Sequence, residues 1–179
     1  KATKKELPSS NPVTNFPALQ PIKELDGSWK VSFDPEWGGP ANTTFDSLQD
    51  WSQHPDDGIR HYSGVATYRK TFSMDNGKGS EGSRVYLDLG KVRDLCRVRL
   101  NGHDHGVLWT TPWRLDVTDA LTAGQNQLEI EVVNAWANRL IKDAALPDRS
   151  QYQYRNPKNS IATLPQWITE KKPLPSGPR

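Results

Sequence analysis

The chain has 179 residues, 23 basic and 21 acidic, giving a formal charge of +2, with 34% hydrophobic and 9% aromatic content. That length supports one core with tails, and a near-balanced charge with scattered Lys and Arg excludes nucleic acid as the expected partner. No apolar run is long enough to span a membrane, the first residues lack a signal peptide's apolar middle, and the lone Cys96 excludes an internal disulfide or a cysteine-built metal cluster.

In chain order, residues 1–21 are rich in Lys, Ser, Asn and Pro and read as a linker, which leaves 22–179 as one domain. "SWKVSF" alternates and places Trp29, Val31 and Phe33 on one face of a strand. "WGGP" and "LQDWSQHPDDG" put Trp37 and Trp51 in loops, exposed unless something covers them. Between these lies Asn42-Thr43-Thr44, an N-glycosylation sequon. "DGIRHYSG" then leads into the strand "VATYRKTF", and "MDNGKGSEGS", residues 74–83, is a loop between strands. "RVYLDLG" brings Val85, Leu87 and Leu89 to one side, and "CRVRL" does the same with Cys96, Val98 and Leu100, so Cys96 is a small buried hydrophobe.

Asn101-Gly102 is a hairpin signal, because both residues tolerate the positive φ of a type I′ turn. "HDH" follows; His103 and His105 share a strand face but lack a third nearby ligand, which makes a weak metal site. "DVTDALTAGQN" reads as a strand end, one helical turn capped by Thr118 or Asp119, and a stop at Gly124. "QLEIEVVN" turns Leu128, Ile130 and Val132 inward and Glu129 and Glu131 outward. Residues 146–179 are Pro-rich and carry Tyr152, Tyr154 and Trp167, so they read as a long loop that needs a surface to lie on.

Short alternating strands joined by turns of unequal length, with no repeat and almost no helix, predict an all-β fold, an antiparallel β-sandwich of jelly-roll type. No pair of carboxylates stands out at the ends of adjacent strands, Asp116 and Asp119 read as turn and cap residues, and no serine lies in a nucleophile elbow. Catalytic residues are therefore expected to be absent from this chain. No Asp-rich loop specifies a structural Ca²⁺, which stays open, and no other cofactor is indicated.

From "GSWKVSF" through "YSGVATYRKTF" and "VYLDLGKVRDLCRVRLNGHDHGVLWTTPWRLDVTDAL" to "GQNQLEIEVVNAWANRLIKD", the order of motifs resembles the jelly-roll sugar-binding (galactose-binding-like) domain of glycoside hydrolase family 2. It resembles still more the related sandwich of family 106, the α-L-rhamnosidases. The resemblance covers roughly residues 26–143, with an echo in "PLPSG" that departs from the family pattern by not running on into a further apolar stretch. It implies a noncatalytic module beside a catalytic glycoside hydrolase domain, contact with oligo- or polysaccharide, and an extracellular or periplasmic location.

Seven tryptophans make the aromatic faces the expected points of contact. Trp29 belongs to the core, whereas Trp109, Trp113 and Trp136 lie near strand ends, each either a lid on the core or a platform for a ligand. Arg114 adjoins Trp113. In "NAWANR", continued strand alternation would put Asn134, Trp136 and Asn138 on one face, a ring flanked by two amides. The resemblance places this stretch on the side facing the catalytic domain, so Asn134, Trp136, Asn138, Arg139 and Asp143 are expected to face a sugar or that domain. His61 and Tyr62, on the same side, are secondary candidates. Three functions remain open: a sugar-binding module, a purely structural interdomain module with no sugar affinity, and a hydrolase in its own right.

Overall fold

The structure, a computed structural model, describes residues 19–75 and 83–144 and the backbone at 154–155 and 160–161. Expectations for residues 1–18, for the middle of the 74–83 loop, and for Tyr152 and Trp167 fall outside the described residues.

The elements are β1 (Trp29–Phe33), β2 (Thr43–Phe45), α1 (Asp57–Arg60), β3 (Val65–Met74), β4 (Tyr86–Asp88), β5 (Leu95–Leu100), β6 (His103–Leu108), β7 (Arg114–Asp116), β8 (Gly124–Val133), α2 (Ala137–Ala144), β9 (Tyr154–Arg155) and β10 (Ser160–Ile161). Among the described residues, six strands form one sheet in the order β2-β1-β3-β8-β5-β6, and β4 pairs with β7 in a second layer. Every paired neighbour is antiparallel. The late strand β8 lies between β3 and β5, a crossed order that an up-and-down meander would not give. The fold is an antiparallel β-sandwich of the expected class.

Alternation sorts the side chains as the sequence requires. Trp29, Val31, Phe33, Tyr68, Cys96, Val98, Leu100, Leu128 and Ile130 turn to one face and are buried, and Leu87 and Leu115 of the second layer pack against them. Burial pushes the Cys96 thiol up to about 11, which keeps it protonated and inert. At one end the core is almost wholly aromatic, with Phe33 edge-on to Trp51 and Tyr62 at ring separations of 5.3 and 4.9 Å. Gly39 makes this packing possible, since a Cβ there would stand 2.3 Å from the Phe33 Cβ.

The opposite face is polar through its middle. Arg69 Nε donates to Glu129 at 2.9 Å, and Arg99 Nη1 donates to Glu129 at 2.7 Å and Glu131 at 3.0 Å. Arg97 pairs with Asp104 one strand further on. Solvent screens such surface pairs, so each adds little to stability by itself.

The β5–β6 hairpin turns at Asn101 (φ 52°) and Gly102 (φ 79°), as type I′ requires. Asn101 also ties the hairpin down: its Nδ2 donates to the Ala120 carbonyl at 2.8 Å and to Asn126 Oδ1 at 2.7 Å, and it accepts from Gln127 N–H at 2.8 Å. Asn126 is fully buried, and its amide also bonds Thr122 and Gly124.

Three expectations are corrected. The 117–121 turn closes with Leu121 N–H on the Val117 carbonyl at 3.0 Å, but its cap is Asp116, which accepts from Thr118 N–H at 3.0 Å and Oγ1 at 2.6 Å. Trp51 is buried instead of exposed, because its Nε1–H finds the Tyr68 hydroxyl at 2.6 Å and its ring joins the aromatic core. The strand alternation expected to continue through Asn138 stops at Val133, and the chain re-forms as α2.

Candidate functional site

The site is built where β8 leaves the sheet and β3 enters it. Asn134 clamps the two together: Gly64 N–H donates to its Oδ1 at 2.9 Å, its Nδ2 donates to the Tyr62 carbonyl at 2.9 Å, and its own N–H reaches the Gly64 carbonyl at 3.3 Å. Ala135 N–H then donates to Asp94 Oδ2 at 2.6 Å. These bonds occupy the backbone groups where the strand ends and release the chain into α2.

The helix is pinned by its polar side. Arg139 N–H donates to Ser63 Oγ at 3.2 Å, the Arg139 residue is buried, and the Lys142 ammonium pairs with the Asp57 carboxylate. Asp57 also pairs with Arg60 at 2.9 Å and lies 3.1 Å from His61 Nδ1. Lys142 first, then Arg60, hold its carboxyl far below the usual carboxylate range.

Because Arg139 and Lys142 face the body, the apolar side of the helix faces out. Trp136 is 62% exposed, Leu140 59% and Ile141 64%. An ordinary surface helix does the reverse, burying its apolar stripe.

A second apolar strip lies at the same end of the sheet's outer face. Val65 pairs with Val133, and Val133 with Leu95. On β6 and just past it, Val107 and Trp109 stand well exposed. The ion-pair ladder stops where this row begins.

The other expected site residues fall elsewhere. Tyr62 is buried and is a core residue: its O–H donates to the Val65 carbonyl at 2.9 Å and accepts from Asp34 N–H at 3.1 Å. His61 caps α1 and is half-buried against Asp57. Trp113 is half-buried against the core, with Arg114 turned to Asp88 at 2.7 Å. Asn134, Trp136 and Asn138 do not share one strand face, because Asn134 is spent on the clamp and Asn138 sits in the first turn of α2. Asp143 lies on α2, and its side chain is outside the described residues. Leu140, Ile141, Val65 and Val107 were not anticipated. For the first two a signal existed: Trp136 and Leu140 at helical spacing, opposite Arg139 and Lys142.

The described carboxyls whose acidity is displaced, Asp50, Asp57, Asp88, Asp104 and Asp116, are all held down by hydrogen bonds or cations. A glycosidase acid needs the opposite displacement. The His103 and His105 rings lie 4.8 Å apart, and burial first, then His103, lowers the His105 pKa. Among the described residues no three His, Cys, Asp or Glu side chains are gathered as metal ligands, and no helix is long and apolar enough to cross a membrane.

Residues 58–169 match the family described as the glycosyl hydrolase 2 galactose-binding domain-like domain. The chain belongs to that family. It is 39% identical over 157 residues to a putative beta-glucuronidase of Formosa agariphila, a match covering 88% of this chain and 13% of that protein. The structure of a rhamnosidase from Novosphingobium sp. PP1Y superposes with a TM-score of 0.67 at 39% identity, over 75% of this chain and 13% of that one. A β-glucuronidase of Ruminococcus gnavus in complex with D-glucuronic acid shares the fold, with a TM-score of 0.51 at 23% identity over 65% of this chain and 23% of its own. The chain thus spans roughly an eighth of the length of the two more similar relatives.

Proposed function

We propose that this domain is a noncatalytic accessory module of a glycoside hydrolase, which supports the catalytic domain and positions carbohydrate at its edge through the outward face of α2. The observation that carries this reading is the reversed helix. A face of Trp136, Leu140 and Ile141 held outward by a buried Arg and a paired Lys is unfavourable in water alone and marks a contact surface. Trp136 supplies the flat ring on which a sugar stacks. The lowered pKa of Asp50, Asp57, Asp88, Asp104 and Asp116, opposite to what a glycosidase acid needs, supports hydrolysis residing in another domain, and the names of the relatives point to rhamnosides or glucuronides as substrates of the whole enzyme. An extracellular or periplasmic location accompanies this reading.

A titration of the chain with rhamnose, glucuronate, galactose and pectic oligosaccharides, following the indole N–H signals of the seven tryptophans, tests it. Shifts confined to Trp136 and Trp109, lost with Trp136→Ala, are expected. Silence from both would remove the sugar-positioning role and leave the purely structural interdomain reading, which Leu140 and Ile141 favour because aliphatic side chains suit a protein surface better than a sugar ring.

A further inference from the structure

The chain has four histidines, and two of them are already engaged. His54 Nδ1 accepts from Asp56 N–H at 3.0 Å and its ring stacks on Phe45. His61 Nδ1 lies against Asp57 at the end of α1. His103 and His105 are left, both on β6, an edge strand of the six-stranded sheet among the described residues. Residues two apart on a strand project to one side, and here the two rings stand 4.8 Å apart, edge to face. Their backbone is fixed from the turn side, where Asn101 is tied to Ala120, Asn126 and Gln127.

His105 Nε2 is shut off from solvent and meets no hydrogen-bond partner. A buried polar atom in that condition costs stability and calls for a water or an ion beside it. Burial first, then His103, disfavours the imidazolium at His105, and the neutral imidazole is the form that ligates a metal. His103 is exposed. Exposed side chains change rotamer within nanoseconds, so its ring can turn a nitrogen toward the same point. The ring separation suits that arrangement. An ion bonded to two imidazole nitrogens at ~2.0–2.1 Å, with an angle between square and tetrahedral, sets the ring centroids about 4.5–5.2 Å apart.

We propose that His103 and His105 form a two-imidazole site for a borderline divalent transition metal, Cu²⁺ before Ni²⁺ or Zn²⁺, with water completing its coordination. Imidazole nitrogen suits these ions, whereas Ca²⁺ and Mg²⁺ take oxygen ligands. The carboxylates closest in charge to His105 are spent on other partners: Asp104 on Arg97 and the Gly106 N–H, Asp116 on Thr118 and Arg84. Both act on His105 through their charge, which favours a cation there without supplying a third protein ligand. Positions left to water make the ion exchangeable instead of permanently built in. Once bound, it clamps the start of β6, where the sheet has a neighbouring strand on one side only. The site is separate from the outward face of α2 and does not rest on the role proposed for that face.

The test titrates the whole 179-residue chain with Zn²⁺, Ni²⁺ and Cu²⁺ in turn, at neutral pH in a non-chelating buffer. With Zn²⁺ the imidazole C–H signals of the four histidines are followed; Cu²⁺ and Ni²⁺ affinities are taken from competition with a chelator of known strength. The His103 and His105 signals should move together, at one ion per chain, and Cu²⁺ should bind most tightly. His103→Ala and His105→Ala should each weaken binding by about tenfold or more, while His54→Gln leaves it unchanged. Zn²⁺ should also raise the melting temperature of the parent but not of His103→Ala, a change at an exposed position. Binding that survives both alanine variants, that follows His54 or His61, that needs two chains per ion, or that appears only at millimolar metal overturns the proposal, as does no binding at all.

Discussion

Trp51 and Trp136 both come from polar stretches between strands, yet one is 7% exposed and the other 62%. Near Trp51, the Tyr68 hydroxyl meets the indole N–H, Phe33 meets the ring, and a short turn capped by Asp50 swings the side chain inward. Near Trp136, the inward contacts are taken by Asn134, Arg139 and Lys142, so the indole is turned out. An aromatic ring is thus placed by whichever neighbour claims the inward direction. Around Trp51 the claimants are rings; around Trp136 they are polar groups, which anchor without covering.

The sharpest break in that contrast is Trp51→Ala, which should cost about 3–5 kcal/mol of unfolding free energy, measured by urea denaturation. An effect as small as that of an exposed residue would mean that the aromatic end is not one packed unit. Asn134→Ala comes next, at about 1–3 kcal/mol, because it leaves the Gly64 N–H and the Tyr62 carbonyl without their partner. Faster hydrogen exchange confined to residues 62–64 and α2 would show that the clamp is local.

Acid sharpens the comparison on the polar side. The Thr118 hydroxyl and amide, then Arg84, hold the Asp116 carboxyl down at about 2. A depressed value in the fold means stability that is fully present above the ordinary carboxylate pKa of about 4 and lost as pH falls from there through about 2. The melting temperature should therefore drop more steeply between pH 5 and 2 in the parent than in Asp116→Asn, whose curve should be flatter by an amount under about 1 kcal/mol. Asp57 works in the same direction, and Asp57→Asn should loosen α2, read as faster exchange at the Leu140 N–H, with little change in global stability. The smallest stability effect belongs to Trp136→Ala, within about 0.5 kcal/mol for the chain by itself. A larger loss would mean that the indole is a structural lid.

The strands were legible because period-two alternation survives in the structure almost residue for residue: Trp29, Val31 and Phe33 are all buried, as are Cys96, Val98 and Leu100. The type I′ turn was legible because only a few residue pairs tolerate its backbone. What escaped were features set by distant partners. Trp51 sits in a polar window, and its burial depends on Tyr68 and Phe33. Tyr62 looks like a loop residue until Phe33 and Gly39 close around it. "NAWANRL" satisfies both periods at once, with Trp136 and Asn138 two apart and Trp136 and Leu140 four apart, so the switch to helix depended on the Asn134 clamp, which joins residues 70 or more apart.

The ladder of Arg69, Glu129, Arg99 and Glu131 has a consequence for how the sheet assembles. Slipping β8 by one residue against its neighbours would carry Leu128 and Ile130 into water and drive Glu129 and Glu131 into the core without a cation beside them. Individually weak pairs thus penalise misassembly far more than they add to the finished fold, and β8, the last strand of the sheet to be made, can settle between β3 and β5 in only one alignment.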